Sequence, residues 1–134
     1  MSEVAVEPGA SNVPVIVVGY FSKPEGRAAL QRALAEAALR TGQLVVVHTS
    51  QDVAVHDLRA ELDASGVQYE VLEAADAQDP AEELLAAADH RRAEFIVIGL
   101  RRRSPVGKLL LGSNAQRVLL DASCPVLAVK AAAT

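Results

Sequence analysis

The sequence predicts a single α/β domain built on a doubly wound, five-stranded parallel sheet. Short runs rich in Val, Ile and Leu recur along the chain and alternate with longer segments whose apolar residues repeat every three to four positions. Runs that are apolar at nearly every position are typical of strands that helices cover on both faces. The order is therefore β-α-β-α-β-α-β-α-β, with right-handed crossovers between parallel strands.

The five strands are predicted from apolar runs bounded by turn residues. Most of the runs are continuous, but the third alternates apolar and polar residues, as an edge strand with one wetter face would. The predicted strands lie within residues 13–20 (apolar core 15–18), 44–47, 67–71, 95–98 and 126–129.

The helices are predicted from their apolar period and from the residues at their N-termini. Pro24 and Glu25 suit the first turn of a helix, where a missing N–H is harmless and a carboxylate meets the positive end of the dipole. Asp79 is the predicted N-cap of the third helix, and the fourth is predicted to start at Gly112-Ser113-Asn114. The apolar stripes are Leu30, Ala33, Leu34, Ala37 and Ala38; Val55, Leu58 and Leu62; Ala81, Leu84, Leu85 and Ala88; and Ala115, Val118, Leu119 and Ala122.

The second helix is predicted from about Asp52 to Ala64. Gly42 suits the position just after the first helix, and Gly66 the position just after the second, because glycine adopts a left-handed backbone at little cost.

Composition indicates a globular, cytoplasmic protein. The 134 residues are 51% hydrophobic and 22% charged, enough for one buried core. A net charge of −4 and 3% aromatic residues argue against nucleic-acid binding. The single cysteine fits a reducing compartment, and no apolar run approaches the ~20 residues of a membrane span. Residues 1–12 lack signal-peptide features and are predicted to form a flexible tail before a domain over 13–130.

The segment from residue 100 to residue 108 carries four cations and no acid. It runs from a buried strand towards the start of the fourth helix, where unpaired N–H groups and the helix dipole favour negative charge. The segment therefore suits an anion. A solvated loop without a ligand is the alternative, and this feature alone does not decide between the two.

Catalytic and nucleotide motifs of several known kinds are absent. A Walker loop needs four residues between its glycines, whereas seven separate Gly99 from Gly107, and no G-x-G-x-x-G follows the first strand. Cys124, before Pro125, is predicted to be a small buried residue rather than a nucleophile. We therefore predict no enzymatic activity. Three histidines on separate elements, predicted to be ordinary surface or satisfied residues, are His48, His56 and His90.

Three groups of residues together carry a family resemblance. They are Val97-Ile98-Gly99; Leu109-Leu110-Leu111-Gly112-Ser113; and Cys124-Pro125-Val126-Leu127-Ala128-Val129, with Pro24-Glu25, Arg27-Ala28-Ala29-Leu30 and Val47-His48 in agreement. In these residues the chain resembles the universal stress protein family over about residues 13 to 130. The resemblance implies a Rossmann-like sheet of order 3-2-1-4-5, with a ligand crevice where the first and fourth strands end.

The resemblance also implies a site for ATP or a related adenine nucleotide, with Mg²⁺. ATP-binding members carry G-x-x-G, nine residues, then Gly and Ser or Thr; Gly99, Gly112 and Ser113 match, but Arg102 occupies the second glycine position. Phe21 stands where nucleotide binders usually have Asp. The implied nucleotide-binding residues are Gly19, Tyr20, Thr49 (beside the adenine), Gly99, Arg101, Arg102, Arg103, Gly112, Ser113 and Asn114.

The two departures leave the function open between two readings. Arg102 hinders the approach of a phosphate if its side chain points inward, and grips the phosphate if it points outward. The first reading is a stress-response regulator that binds a nucleotide. The alternative is an interaction module of the same family without a nucleotide. In both, the resemblance implies a homodimer formed through the last strand, 126–129. An adenylating enzyme would want a Ser-Gly-Gly loop that Tyr20-Phe21-Ser22-Lys23 does not provide.

Overall fold

A computed structural model of the chain describes residues 13–21, 24–49, 54–75, 79–102 and 109–131. The predicted tail over residues 1–12, the predicted helix start at Asp52 and residue Arg103 lie outside this part of the chain. The elements are β1 Val15–Tyr20, α1 Glu25–Arg40, β2 Gln43–His48, α2 Val55–Ser65, β3 Gln68–Glu73, α3 Pro80–Arg91, β4 Phe95–Arg102, β5 Leu109–Leu110, α4 Ser113–Asp121 and β6 Val126–Lys130.

The sheet has the predicted architecture. Five parallel strands follow the order β3-β2-β1-β4-β6, which is 3-2-1-4-5 when the main strands are numbered along the chain. The strand predicted at the edge, β3, lies at the edge of this sheet. The fold class predicted from the sequence is therefore confirmed.

Alternate residues of the strands point to opposite faces of the sheet and form two cores. One core packs the sheet against α1 and α2, and contains Ile16, Val18, Leu30, Leu44, Val46, Leu62 and Val97, among others. The other packs the sheet against α3 and α4, and contains Val17, Val45, Leu84, Ile96, Ile98 and Val118, among others. Helices thus cover both faces, and this explains why the strand sequences are apolar at nearly every position.

The helix ends agree with the prediction in part. Gly66 has a φ of 78° at the end of α2, as predicted. At the end of α1, however, the left-handed residue is Thr41, with a φ of 51°, and Gly42 follows it. Gly42 donates its N–H to the carbonyl of Ala37 at 2.8 Å, and a Cβ on Gly42 would lie 2.8 Å from the carbonyl oxygen of Pro14. Gly42 was predicted directly after the helix but is the second residue after it. A glycine is needed there for the close approach to the backbone of Pro14.

The N-terminus of α3 confirms its predicted cap. The N–H of Glu82 donates to the side chain of Asp79 at 3.3 Å, and Pro80 occupies the first turn. The cap satisfies one of the N–H groups that a helix start leaves without a partner.

The segment predicted as a loop after residue 99 is partly a strand. β4 continues to Arg102, and its end pairs with β5 in an antiparallel hairpin, Arg101 with Leu110 and Arg102 with Leu109. The predicted strand, 95–98, therefore ends too early. A two-residue strand has no apolar period of its own, and it forms because the end of β4 offers it a partner.

Helix α4 begins where the sequence predicts, but one residue of its apolar stripe is not buried. Val118 is fully buried, and Ala115 and Ala122 pack against the second core. Leu119, predicted to face the sheet, is exposed, and neighbouring Leu120 is 81% exposed. None of the described helices is long and apolar enough to cross a membrane.

Candidate functional site

A cleft opens at the carboxyl ends of β1 and β4. The two strands pair only as far as Val18 and Val97, and then lead to helices on opposite faces of the sheet. This is the switch point of a doubly wound sheet, where ligands commonly bind. The cleft has a volume of about 500 Å³ and is lined by Gly19, Phe21, Glu25, Gly26, Ile98, Gly99, Leu100, Arg101, Leu111, Gly112, Ser113, Asn114, Ala115 and Val118.

The floor of the cleft depends on a close contact between β4 and the start of α1. A Cβ on Gly99 would lie 2.0 Å from the carbonyl oxygen of Glu25 and 2.6 Å from its carbonyl carbon. Only glycine leaves room for this backbone approach. Gly99 therefore positions the first turn of α1 against the cleft, whatever else it does for a ligand.

The N-terminus of α4 brings unpaired N–H groups to the cleft. The first intrahelical bond runs from the N–H of Gln116 to the carbonyl of Gly112, at 3.0 Å. The N–H groups of Ser113, Asn114 and Ala115 precede it and have no helical acceptor. This helix has no side-chain cap and no acidic residue in its first turn. Its partial positive charge is therefore available to an anion.

A bidentate ion pair joins the start of α1 to the end of β4 inside the cleft. Arg101 donates from Nε to Glu25 Oε2 at 2.9 Å and from a terminal guanidinium nitrogen to Oε1 at 3.3 Å. The Glu25 side chain is 18% exposed and that of Arg101 43%. Among the described residues that line the cleft, these are the two that carry a formal charge, and they compensate each other.

An aromatic side chain forms part of the cleft wall. The ring of Phe21 lies against Gly19, so that a Cβ on that glycine would be 3.2 Å from two ring carbons. The ring also packs against the core on the α3 and α4 side, and Val118 of that core lines the cleft as well. A planar ligand can stack on such a wall.

The structure brings most of the predicted site residues together. Of the predicted site residues that the structure describes, those that line the cleft are Gly19, Gly99, Arg101, Gly112, Ser113 and Asn114. Tyr20 is not in the lining, since it is buried in the core under α1 with its ring against Gly26. Thr49 is also buried outside the lining, and its hydroxyl donates to the carbonyl of Phe21 at 3.3 Å. For Arg102 the structure describes only the backbone, in β4, and Arg103 lies outside the described residues.

Sequence reasoning missed the part that Glu25 plays in the cleft. The sequence places Glu25 in the first turn of a helix that follows β1, and therefore at the same edge of the sheet as the cationic segment after β4. That signal was sufficient to place its carboxylate near the cleft. The pairing with Arg101 depends on the contact at Gly99, which no local pattern reveals.

Other candidate chemical groups in the described residues have structural surroundings. His48 is buried, with Nδ1 3.0 Å from the carbonyl oxygen of Thr49, while His56 and His90 are exposed. Burial raises the pKa of the Cys124 thiol, and the charge of Asp89 raises it further, which disfavours a reactive thiolate. No group of three or more His, Cys, Asp or Glu suited to a metal occurs in the described part of the chain.

Comparison with known proteins gives consistent matches. The model of the universal stress protein family matches residues 56–130. A universal stress protein of Mycolicibacterium smegmatis is 49% identical over 127 residues, which cover 87% of this chain and 97% of that protein.

Solved structures give the same match at the level of the fold. A universal stress protein from Archaeoglobus fulgidus superposes with a TM-score of 0.69 at 28% identity, over 90% of this chain and 100% of that one. A universal stress protein solved in complex with cAMP superposes with a TM-score of 0.63 at 25% identity, over 89% of this chain and 98% of that one.

Proposed function

The chain belongs to the universal stress protein family, and on this basis we propose that it is a stress-response regulator that binds an adenine nucleotide in the cleft between β1 and β4. The observation that carries the proposal is the uncapped N-terminus of α4, which offers N–H groups to a phosphate inside the cleft.

The rest of the cleft suits the other parts of a nucleotide. Phe21 and Val118 provide an apolar wall for a base, while Ser113 and Asn114 add polar groups at the helix start. The volume of about 500 Å³ lies within the range of small-molecule sites. A structural neighbour in complex with cAMP supports an adenine nucleotide as the ligand.

The proposal includes binding without turnover, and a homodimer. The cleft lining offers Ser113 as a hydroxyl nucleophile but no histidine or lysine to activate it among the described residues. At the edge of the sheet, β6 has three half-buried apolar residues and pairs with β4, and we propose that its free edge meets a second copy.

Calorimetric titration of ATP, ADP, AMP and cyclic AMP, with and without Mg²⁺, tests nucleotide binding on protein stripped of bound nucleotide. We expect a dissociation constant below roughly 100 µM for at least one of them. Ser113→Asp should weaken nucleotide binding by about tenfold or more, because the new carboxylate competes with the phosphate for the N–H groups at the helix start. The substitution should not lower the melting temperature, since an acid in the first turn stabilises a helix.

The matched control is His56→Asp. It adds the same kind of charge to the first turn of α2, at an exposed position outside the cleft lining, and it should leave affinity within about twofold. An equal loss of nucleotide affinity in Ser113→Asp and His56→Asp would contradict the proposed location of the phosphate. Phosphate release from ATP, measured on the same samples, would contradict binding without turnover if it were rapid.

An interaction module that takes no nucleotide is the second candidate. The observations that favour it are the Phe21 ring over Gly19 and the engagement of Arg101 by Glu25, which both reduce what the cleft offers a phosphate. No binding of any of the four nucleotides at millimolar concentration would favour this candidate.

A further inference from the structure

We propose that Glu25 determines specificity in the cleft by selecting against highly charged phosphates. Its carboxylate lines the cleft and engages Arg101 through two hydrogen bonds. The inference rests on the proposed function, and it names the class of ligand: nucleotides whose phosphate carries a single negative charge.

The described lining of the cleft carries two formal charges. Glu25 and Arg101 are the charged residues among the described lining, and their formal charges sum to zero. The Glu25 side chain is the more enclosed of the two, at 18% exposure, so water screens its charge only in part. An incoming phosphate therefore meets a fixed negative charge close to the guanidinium that would attract it.

The two described helix N-termini that reach the cleft differ in charge. At the start of α1, the dipole is already balanced by Glu25, in the first turn of that helix. At the start of α4, no acid and no cap is present. Of the two described helix starts at the cleft, that of α4 is uncompensated and suits one phosphate group, whereas that of α1 already carries a carboxylate.

The candidate ligands differ in the charge of their phosphates. A cyclic phosphodiester carries about one negative charge at neutral pH, a terminal phosphate close to two, and ATP about four. Repulsion from Glu25 grows with each added charge, while the N–H groups at Ser113 and Asn114 gain little from the second and third phosphates. Cyclic AMP should therefore bind more tightly than ATP.

The test compares wild type with Glu25→Gln in calorimetric titrations of cyclic AMP and ATP, without Mg²⁺. We expect Glu25→Gln to tighten ATP binding by at least about tenfold and to change cyclic AMP binding by less than about threefold, because only the former ligand carries several charges. Mg²⁺ lowers the net negative charge of ATP, so the gain in ATP affinity on Glu25→Gln should be smaller when Mg²⁺ is present.

Glu61→Gln is the matched control. Glu61 also receives two hydrogen bonds from an arginine of α1, Arg27, but lies outside the cleft lining. Glu61→Gln should change neither the affinity for cyclic AMP nor the affinity for ATP. Thermal melting of each variant verifies its fold.

A second measurement needs no variant. If Glu25 repels the phosphates, a rise in salt from 50 to 500 mM screens that repulsion and should narrow the preference for cyclic AMP over ATP (expected change about threefold or more). If the cleft instead attracts polyphosphates, salt weakens ATP binding more than cyclic AMP binding, and the inference is wrong.

The outcomes separate this inference from the proposed function. Tight binding of a nucleotide by wild type, with equal changes for both ligands in Glu25→Gln, overturns the role of Glu25 and leaves nucleotide binding standing. Absence of binding in both wild type and Glu25→Gln overturns nucleotide binding, and the role of Glu25 with it.

Discussion

Two glycines of the same sequence motif have different surroundings in the cleft. At Gly99 a Cβ would collide with the backbone of Glu25, at 2.0 Å from its carbonyl oxygen. At Gly112 a Cβ would meet no atom of the described residues within 4 Å, and the backbone has ordinary angles, with a φ of −69°. The first glycine is therefore required by the fold, whereas the second is free to serve a ligand.

This difference predicts separate effects on stability. Gly99→Ala should lower the free energy of unfolding by about 3 kcal/mol or more, because neither backbone segment can move aside easily. Gly112→Ala should lower it by about 1 kcal/mol or less, the usual cost of alanine at an N-cap. Urea denaturation monitored by circular dichroism measures both. Equal losses would show that the contact between β4 and α1 is not as tight as the structure indicates.

At this scale the sequence predicts the members of the site better than their contacts. Gly99, Gly112 and Ser113 follow from the motif, and Arg101 from the cationic segment. The partner of Arg101 does not follow, because Glu25 is 76 residues away along the chain. An ion pair of that separation is a consequence of tertiary packing, and in the sequence Glu25 shows only its preference for a helix start.

Ion pairs at the level of elements tie α1 to its surroundings. Arg27 of α1 donates two hydrogen bonds to Glu61 of α2, at 2.6 and 3.1 Å. Within α1, Arg32 and Arg40 both pair with Glu36. These hydrogen bonds hold the pKa values of Glu61 and Glu36 below their ordinary value of about 4.5. The first pair thus links α1 to α2, and the other two stabilise α1 itself.

The lowered pKa values predict how stability depends on pH. A carboxyl whose folded pKa lies below its unfolded value stabilises the fold above about pH 4.5, and that contribution disappears as the pH falls through the folded value. Glu61→Gln should therefore destabilise the protein at pH 7, by under about 1 kcal/mol since the pair is partly exposed. At about pH 3 the destabilisation should be smaller, because the carboxyl is then more fully protonated.

Urea midpoints at the two pH values provide the measurement. The control is Glu94→Gln, since Glu94 is exposed and makes no ion pair among the described residues. Its effect on the midpoint should be small and should not depend on pH. A Glu61→Gln loss that persists in full at pH 3 would mean that the pair acts through packing rather than through charge.

Most elements could be predicted because each has a period of its own. The alternation of apolar runs with helical stripes predicts the parallel sheet, and Asp79 predicts the start of α3. The hairpin of β4 with β5 could not be predicted in this way. Its pairs join arginines to leucines, and its stability depends on the backbone of a neighbouring strand. The left-handed Thr41 was missed for a related reason, because Gly42 next to it gives the stronger local signal.

For the whole molecule, the free edge of β6 is the feature that bears on assembly. Ile96 donates its N–H to the carbonyl of Pro125, at 3.0 Å, and Ala131 donates to the carbonyl of Leu100, at 2.9 Å. Residues of a strand alternate in direction, so odd-numbered positions of β6 bond to β4. The N–H of Ala128 therefore points away from β4, and its side chain is exposed. Such an edge can pair with the same strand of a second copy.

The geometry of this edge allows a selective test of the proposed homodimer. Ala128→Pro removes an outward N–H while leaving the bonds to β4 in place, because proline is tolerated on the free side of an edge strand. Wild type should sediment at twice the chain mass of 14.1 kDa, and Ala128→Pro at the chain mass, with an unchanged circular dichroism spectrum. Ala128→Ser keeps the N–H and should remain dimeric.

If wild type sediments as a monomer, or if the proline variant stays dimeric, the second copy does not bind through β6. If the proline variant stays dimeric, the exposed leucines of α4, Leu119 and Leu120, become the surface to mutate next, since strand pairing would no longer account for the dimer.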